Sequence, residues 1–194
     1  LMDLGVYCIE PMVALFGVPE RIVAAPTVIS DAHTESTGGV IDGAGSVLCT
    51  YGRRSGTPGL VVELAYSKIS TDLLPCQIEG DLGTLSLDAM SVPQAASLMV
   101  RGQAVRGSAT TKTNSVGSVV EELPIAPCDN NMVFEVRDFV SIVCGERLDT
   151  LWGASMDARG AESSFCDVTL DSLAICDEIR NQANVSFPAD FRVE

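Results

Sequence analysis

The sequence holds one histidine and one tryptophan in 194 residues, and it is poor in basic side chains, with 12 against 26 acidic ones. With His33 as the one histidine, most His-based metal and triad schemes fail. The formal charge of −14 lacks the basic excess of a phosphate-binding surface, which argues against nucleic acid as a partner. No run comes near the ~18 apolar residues that a membrane span needs. Nor does the start read as a secretory leader, because Leu1–Leu15 carries Asp3 and Glu10, no basic lead and no small-residue cleavage site. The seven cysteines (Cys8, Cys49, Cys76, Cys128, Cys144, Cys166 and Cys176) are odd in number, widely spaced and without a C-x-x-C pair. They suggest neither a zinc site nor a disulfide framework. Reduced, mostly buried thiols and a cytoplasmic location are expected instead.

What is present fits one globular domain. Hydrophobic residues make up 46% and charged residues 20% of the chain, enough apolar material for a core. Residues 5–17, GVYCIEPMVALFG, predict a helix stopped by Gly17 and Pro19, with Asp3 capping or preceding its first turn. Pro11 inside it predicts a kink or a late start. A β-rich section follows: Arg21–Ser30, Gly45–Tyr51, Leu60–Ser67, the two strands of CQIEGDLGTLSLD, then Ser97–Arg101 and Val116–Leu123. Leu85 and Leu87 alternate with polar neighbours, as in a strand with one buried face. The stretch GQAVRGSATTKTNS reads as a loop. Two helices close the chain. Asn131–Cys144 sets Met132, Val136, Phe139, Val140 and Val143 at helical spacing, and Ser164–Ala183 does so with Val168, Ile175 and Ile179. Asn184 stands where a left-handed cap is wanted, with Pro188 beyond. Helix, many strands, two helices, without βαβ alternation, predicts an α+β fold on a largely antiparallel open sheet with helices on one face. Residues 1–194 read as one domain.

Few residues advertise chemistry. Gly43-Ala44-Gly45 lacks the third glycine of a G-x-G-x-x-G loop, and a strand rather than a helix follows it, so it reads as a turn before a strand. His33 lies in a polar connection, where an exposed side chain is the plainer reading and a substrate contact the sharper one. Trp152 reads as core packing, with pocket lining as the alternative. Asn184-Val185-Ser186 matches a glycosylation triplet by chance. Asp3 and Tyr7 are four apart and share a face if the helix begins that early. A phenol can pass a proton to a carbonyl oxygen as a hydride arrives, given a neighbour that lowers its pKa from about 10. The spacing fits equally a tyrosine packed at a core edge and an aspartate that only caps.

The opening LMDLGVYCIEPMVALFG resembles the start of the second domain of the Gfo/Idh/MocA oxidoreductases, in which an Asp-x-Gly-x-His or Asp-x-Gly-x-Tyr step leads into a helix with a Phe-Gly stop. Asp3, Gly5 and Tyr7 fill the step, and Phe16-Gly17 the stop. VIDGAGSVLCTYG resembles that family's first long strand, IEGDLGTLSLD its hairpin, NNMVFEVRDFVSIVCG its penultimate helix, and DEIRNQANVSFPAD its last helix and tail. The tyrosine and the tail resemble the dihydrodiol dehydrogenase-like branch.

The resemblance implies that residues 1–194 form a C-terminal substrate-binding and dimerisation domain, with Tyr7 as proton donor or acceptor and Asp3 arranging the site. It implies NAD or NADP in the full-length protein, held by an N-terminal Rossmann domain that also supplies a lysine; both are absent from this chain. Leu1 falls inside the motif, as expected of a piece of a longer protein. The isolated chain is then expected to bind no cofactor or metal and to be inactive. The expected substrate is a sugar, polyol or diol, and the expected assembly a homodimer through the sheet face. The alternative is a non-catalytic ligand-binding or assembly domain of the same fold.

Overall fold

A computed structural model describes residues 1–29, 40–52, 59–71, 75–100, 119–149 and 155–185. In chain order the elements are α1 (Val6–Phe16), β1 (Arg21–Ile29), β2 (Ile41–Tyr51), β3 (Leu60–Ser67), β4 (Cys76–Glu79), β5 (Gly83–Leu87), β6 (Ala96–Val100), β7 (Val119–Leu123), α2 (Met132–Cys144), β8 (Leu148–Asp149), β9 (Ser155–Met156) and α3 (Ala158–Ala183). Every ladder is antiparallel, and the strands pair as β1-β2-β3, β4-β5-β6-β7 and β8-β9. The α+β class expected from the sequence holds. The elements gather into two compact units, one from Leu1–Asp72 with Met132–Glu194, the other Leu73–Asn131.

In the first unit, α1 and α3 bury the inner face of β1-β2-β3. Ile9, Met12 and Val13 of α1 stand at helical spacing and meet Val47 and Cys49 of β2, Tyr66 of β3, and Ile175, Cys176 and Ile179 of α3. Ile9 and Ile179 are each only 1% exposed, and burying such a side chain is worth about 1.5–3 kcal/mol. Period-two alternation turns Ser46 and Leu48 to the opposite, open face. Pro26 sits in β1, an edge strand, where a missing N–H costs no ladder bond if it faces outward. Two other edge groups of β1 are met by a side chain. Gln182 of α3 donates from Nε2 to the Ile22 carbonyl (3.0 Å) and accepts at Oε1 from the Ala24 N–H (2.9 Å).

Helix α1 runs from Val6 through Pro11 to Phe16, so the proline delays neither its start nor its continuation. Gly17 closes it at φ 77°, its N–H on the Val13 carbonyl at 2.8 Å. The Tyr51 hydroxyl then donates to the Gly17 carbonyl at 3.0 Å, and Phe16 meets the Tyr51 ring edge-on at 6.3 Å. Burial, with the nearby Cys49 adding to it, pushes the Tyr51 phenol up to about 12. Helix α3 begins at Ala158, six residues before the Ser164 expected from periodicity. Its first turns, ARGAES, carry no apolar repeat, but Asp157 caps them by accepting from the Gly160 N–H at 2.8 Å. Asn184 ends the helix in the left-handed region, as expected (φ 53°, ψ 32°).

Helix α2 forms where its spacing predicts it, with its apolar stripe exposed: none of its residues is buried, and Phe139 is 67% exposed. The expectation of mostly buried thiols fails. Cys49 and Cys176 are buried, Cys144 and Cys166 are exposed, and the other three are half-buried. Cys144 shares the outward fate of α2, whereas Cys49 and Cys176 sit where sheet and α3 meet.

The second unit is the four-stranded meander β4 to β7. Its first turn is closed by the Gly80 N–H on the Gly83 carbonyl at 2.8 Å, and Gly83 must be glycine because a Cβ would strike the Met99 carbonyl oxygen. β4 alternates half-buried Cys76 and Ile78 with exposed Gln77 and Glu79, but β5 is half-buried at every position. Between β5 and β6, Asp88 Oδ1 accepts from the N–H groups of Gln94 (2.9 Å) and Ala95 (3.0 Å). Those bonds to the charged form hold its carboxyl below the usual carboxylate value.

Candidate functional site

The candidate site is built where the turn before α1 meets the ends of β2 and β3. Residues 2–5 coil ahead of the helix through bonds from the Val6 N–H to the Leu1 carbonyl (3.1 Å) and from the Tyr7 N–H to the Leu4 carbonyl (3.2 Å). Gly5 is the N-cap, with αR backbone angles and no side-chain cap bond. A Cβ on Gly5 would lie 2.8 Å from the Leu1 side chain, so the middle residue of the Asp-x-Gly-x-Tyr step has a steric reason to be glycine. Because α1 begins at Val6, Asp3 stands in the turn rather than on the helix, and it neither caps α1 nor stacks one helical turn above Tyr7. Its carboxylate pairs instead with the Lys68 ammonium, just beyond β3. Tyr7, on the first turn of α1, is 57% exposed, so its hydroxyl is free of the core that periodicity allowed for it.

Behind this turn lies a buried polar contact. The Leu1 nitrogen donates to Asp42 Oδ2 at 2.6 Å, with both groups almost fully enclosed. The Tyr66 hydroxyl also donates to Asp42, and its ring lies flat enough on Gly45 that a Cβ there would be 2.5 Å from the phenol oxygen. The Tyr66 hydroxyl bond favours the charged form of Asp42 against its burial. Tyr66 itself is pushed up by burial and then by that bond. Sequence reasoning missed both Lys68 and Asp42. Lys68 stands in no motif and Asp42 only inside a segment singled out as a strand, and only the pairing of β2 with β3 brings them to the same end of the sheet.

A shallow depression of about 410 Å³ lies elsewhere, on the open face of β1-β2-β3, lined by small and hydroxyl side chains such as Thr27, Ala44, Ser46, Ala65 and Ser67. Neither Asp3 nor Tyr7 lines it, and it offers no acid–base group apart from the Tyr66 phenol, which is committed to Asp42. Gly43-Ala44-Gly45 lies inside β2, where Ala44 and Gly45 are paired with both neighbouring strands. A phosphate loop needs amides that are free to turn toward the ligand, and a helix to follow. These residues therefore do not fit a dinucleotide. Among the described residues no group of His, Cys, Asp and Glu could hold a metal ion, and no helix is long and apolar enough to cross a membrane. His33 and Trp152 lie outside the described residues.

The antiparallel α+β scaffold and the Asp-x-Gly-x-Tyr step before its first helix agree with the resemblance to the Gfo/Idh/MocA oxidoreductases, and comparison with known proteins bears out that resemblance. The chain is 28% identical over 190 residues to the scyllo-inositol 2-dehydrogenase (NADP(+)) IolU of Bacillus subtilis (strain 168), a match covering 98% of this chain and 46% of that protein. It is 26% identical, again over 190 residues, to the uncharacterized oxidoreductase YgjR of Escherichia coli (strain K12), covering 45% of that protein. The chain thus spans about half the length of the curated relatives it matches. No family model matches the chain.

Proposed function

We propose that this chain is the substrate-side half of an NAD(P)-dependent oxidoreductase that moves a hydride between nicotinamide and a carbonyl or hydroxyl carbon of a sugar, polyol or diol. The observation that carries the reading is a likeness along 98% of the chain to a protein named as a dehydrogenase of scyllo-inositol with NADP(+), joined to an exposed phenol at the head of α1. A polyol is the favoured class within that reading.

Nicotinamide would supply or accept the hydride and would be held by a nucleotide-binding half, since Gly43-Ala44-Gly45, the glycine pair nearest to a nucleotide loop, lies in a strand. The residues of this chain handle the proton. Tyr7 takes it from the substrate hydroxyl during oxidation and returns it to the carbonyl oxygen during reduction, which is general acid–base catalysis at one atom. Asp3, in the turn four residues earlier, sets the polar surroundings of that oxygen. Proximity supplies a large share of such rate enhancement, so the isolated chain is inactive. The thiol-rich composition favours a cytoplasmic protein. The open sheet face, where Val61 is 62% exposed beside Leu48 and Val23, is the proposed homodimer surface.

Tyr7→Phe in the full-length protein tests the assignment. Cofactor binding should persist while turnover falls by a factor of order a hundred or more. Near-normal turnover would remove Tyr7 from the chemistry.

A further inference from the structure

Taking the oxidoreductase reading as its basis, we propose that Lys68 is a positioning residue for this site, a cation that fixes the Asp3 carboxylate and, through the turn it belongs to, the placement of Tyr7. The turn of residues 2–5 has no side-chain cap of its own at Gly5. It is held from outside at two points. At its root the Leu1 nitrogen is anchored on Asp42, the second residue of β2, in an enclosed contact. At its crest Asp3 is gripped by Lys68. Both anchors come from one place, because the Lys68 N–H donates to the Gly43 carbonyl at 2.7 Å, and Ala44–Ser67 is the last paired position of β2 and β3. The backbone carrying the cation is thereby tied to the strand carrying Asp42. The Tyr7 N–H bond to Leu4 then passes the position of the turn to the phenol.

The two anchors differ in what they do for folding. The Asp42 contact is almost fully enclosed, and losing it leaves a buried donor unpaired. Asp3 and Lys68 are both more than half exposed, and exposed pairs add little to stability because water screens them and both side chains lose freedom. An ion pair of little value to the fold, placed between a strand end and an Asp-x-Gly-x-Tyr turn, is better accounted for by what it orients. Lys68 is one of two lysines in the sequence, and among the described residues the only one.

The test is a double-mutant cycle in the full-length enzyme on a polyol substrate, with Tyr7→Phe run alongside. Lys68→Met should lower kcat severalfold to tenfold with little change in KM for the cofactor and no change in Tm, and Lys68→Arg should restore most of the loss. Added to Asp3→Asn, Lys68→Met should cost almost nothing more, since the two changes remove one interaction. Wild-type turnover in Lys68→Met, or strictly additive losses in the double variant, would overturn the positioning role while leaving Tyr7 in place. Undiminished turnover in Tyr7→Phe would overturn the oxidoreductase assignment of this site, and the role of Lys68 with it.

Discussion

Cys49 and Cys176 report on the core at single-residue resolution. Both thiols are buried and pushed up by that burial, so the reactive thiolate is scarce at neutral pH. Cys144 and Cys166 are exposed. Labelling with a thiol reagent under native conditions should modify Cys144 and Cys166 quickly and leave Cys49 and Cys176 until the chain unfolds, with mass spectrometry of the peptides as the readout. Ile179 lies in the same core at 1% exposure. Ile179→Ala should destabilise by about 2–5 kcal/mol through lost burial and a cavity, seen as a lower denaturant midpoint. At this scale the sequence singles out Tyr7 and Asp3 and is silent about what Asp3 touches. Four-residue spacing implied a shared helix face, but the helix starts at Val6 and leaves Asp3 in a turn facing Lys68. A partner from the far end of β3 has no local signature, because only strand pairing brings it there.

Single elements add two further expectations. The β5–β6 connection rests on the Asp88 carboxylate, whose proton affinity is lowered chiefly by the Ala95 and Gln94 N–H bonds. A carboxyl lowered in the folded state contributes its stabilisation above its unfolded value and loses it as the pH falls through the folded one. Amide exchange at Gln94 and Ala95 should therefore accelerate, beyond the intrinsic pH effect, only below the ordinary value of 3.8. Asp88→Ala should show that faster exchange already at neutral pH. The edge of β1 depends on Gln182. Gln182→Leu should cost about 1–3 kcal/mol for the two bonds lost to β1 and expose strand groups to a second chain, so light scattering at raised temperature should begin earlier than in the parent. Strands and helices were the most legible features, since hydrophobic period and glycine stops are local. Legibility failed where the signal was a cap or an unshared surface. Asp157 starts α3 without an apolar repeat to announce it. The stripe of α2 had the helical period of a core face, yet it is exposed, because the period says that one face is apolar and not what covers it.

At the scale of the whole molecule, the uncovered apolar surface and the length of the relatives bear on the same question. The open face of β1-β2-β3 carries Val23, Leu48 and Val61 exposed. If that face joins two copies, sedimentation at micromolar concentration should give a dimer, and Leu48→Glu should shift it to monomer; a monomeric parent chain would end the proposal. The relatives are about twice as long as the matched segment, and the proposed function gives proton transfer to this chain and the cofactor to the rest of the protein. The most direct measurement is polyol-dependent reduction of NAD(P)+, followed by the absorbance of the reduced nicotinamide, for the full-length protein and for residues 1–194 alone. The account predicts reduction by the full-length protein and none by the isolated chain at any cofactor concentration. Reduction by residues 1–194 alone would contradict it, as would a full-length protein that binds both cofactor and polyol yet transfers no hydride.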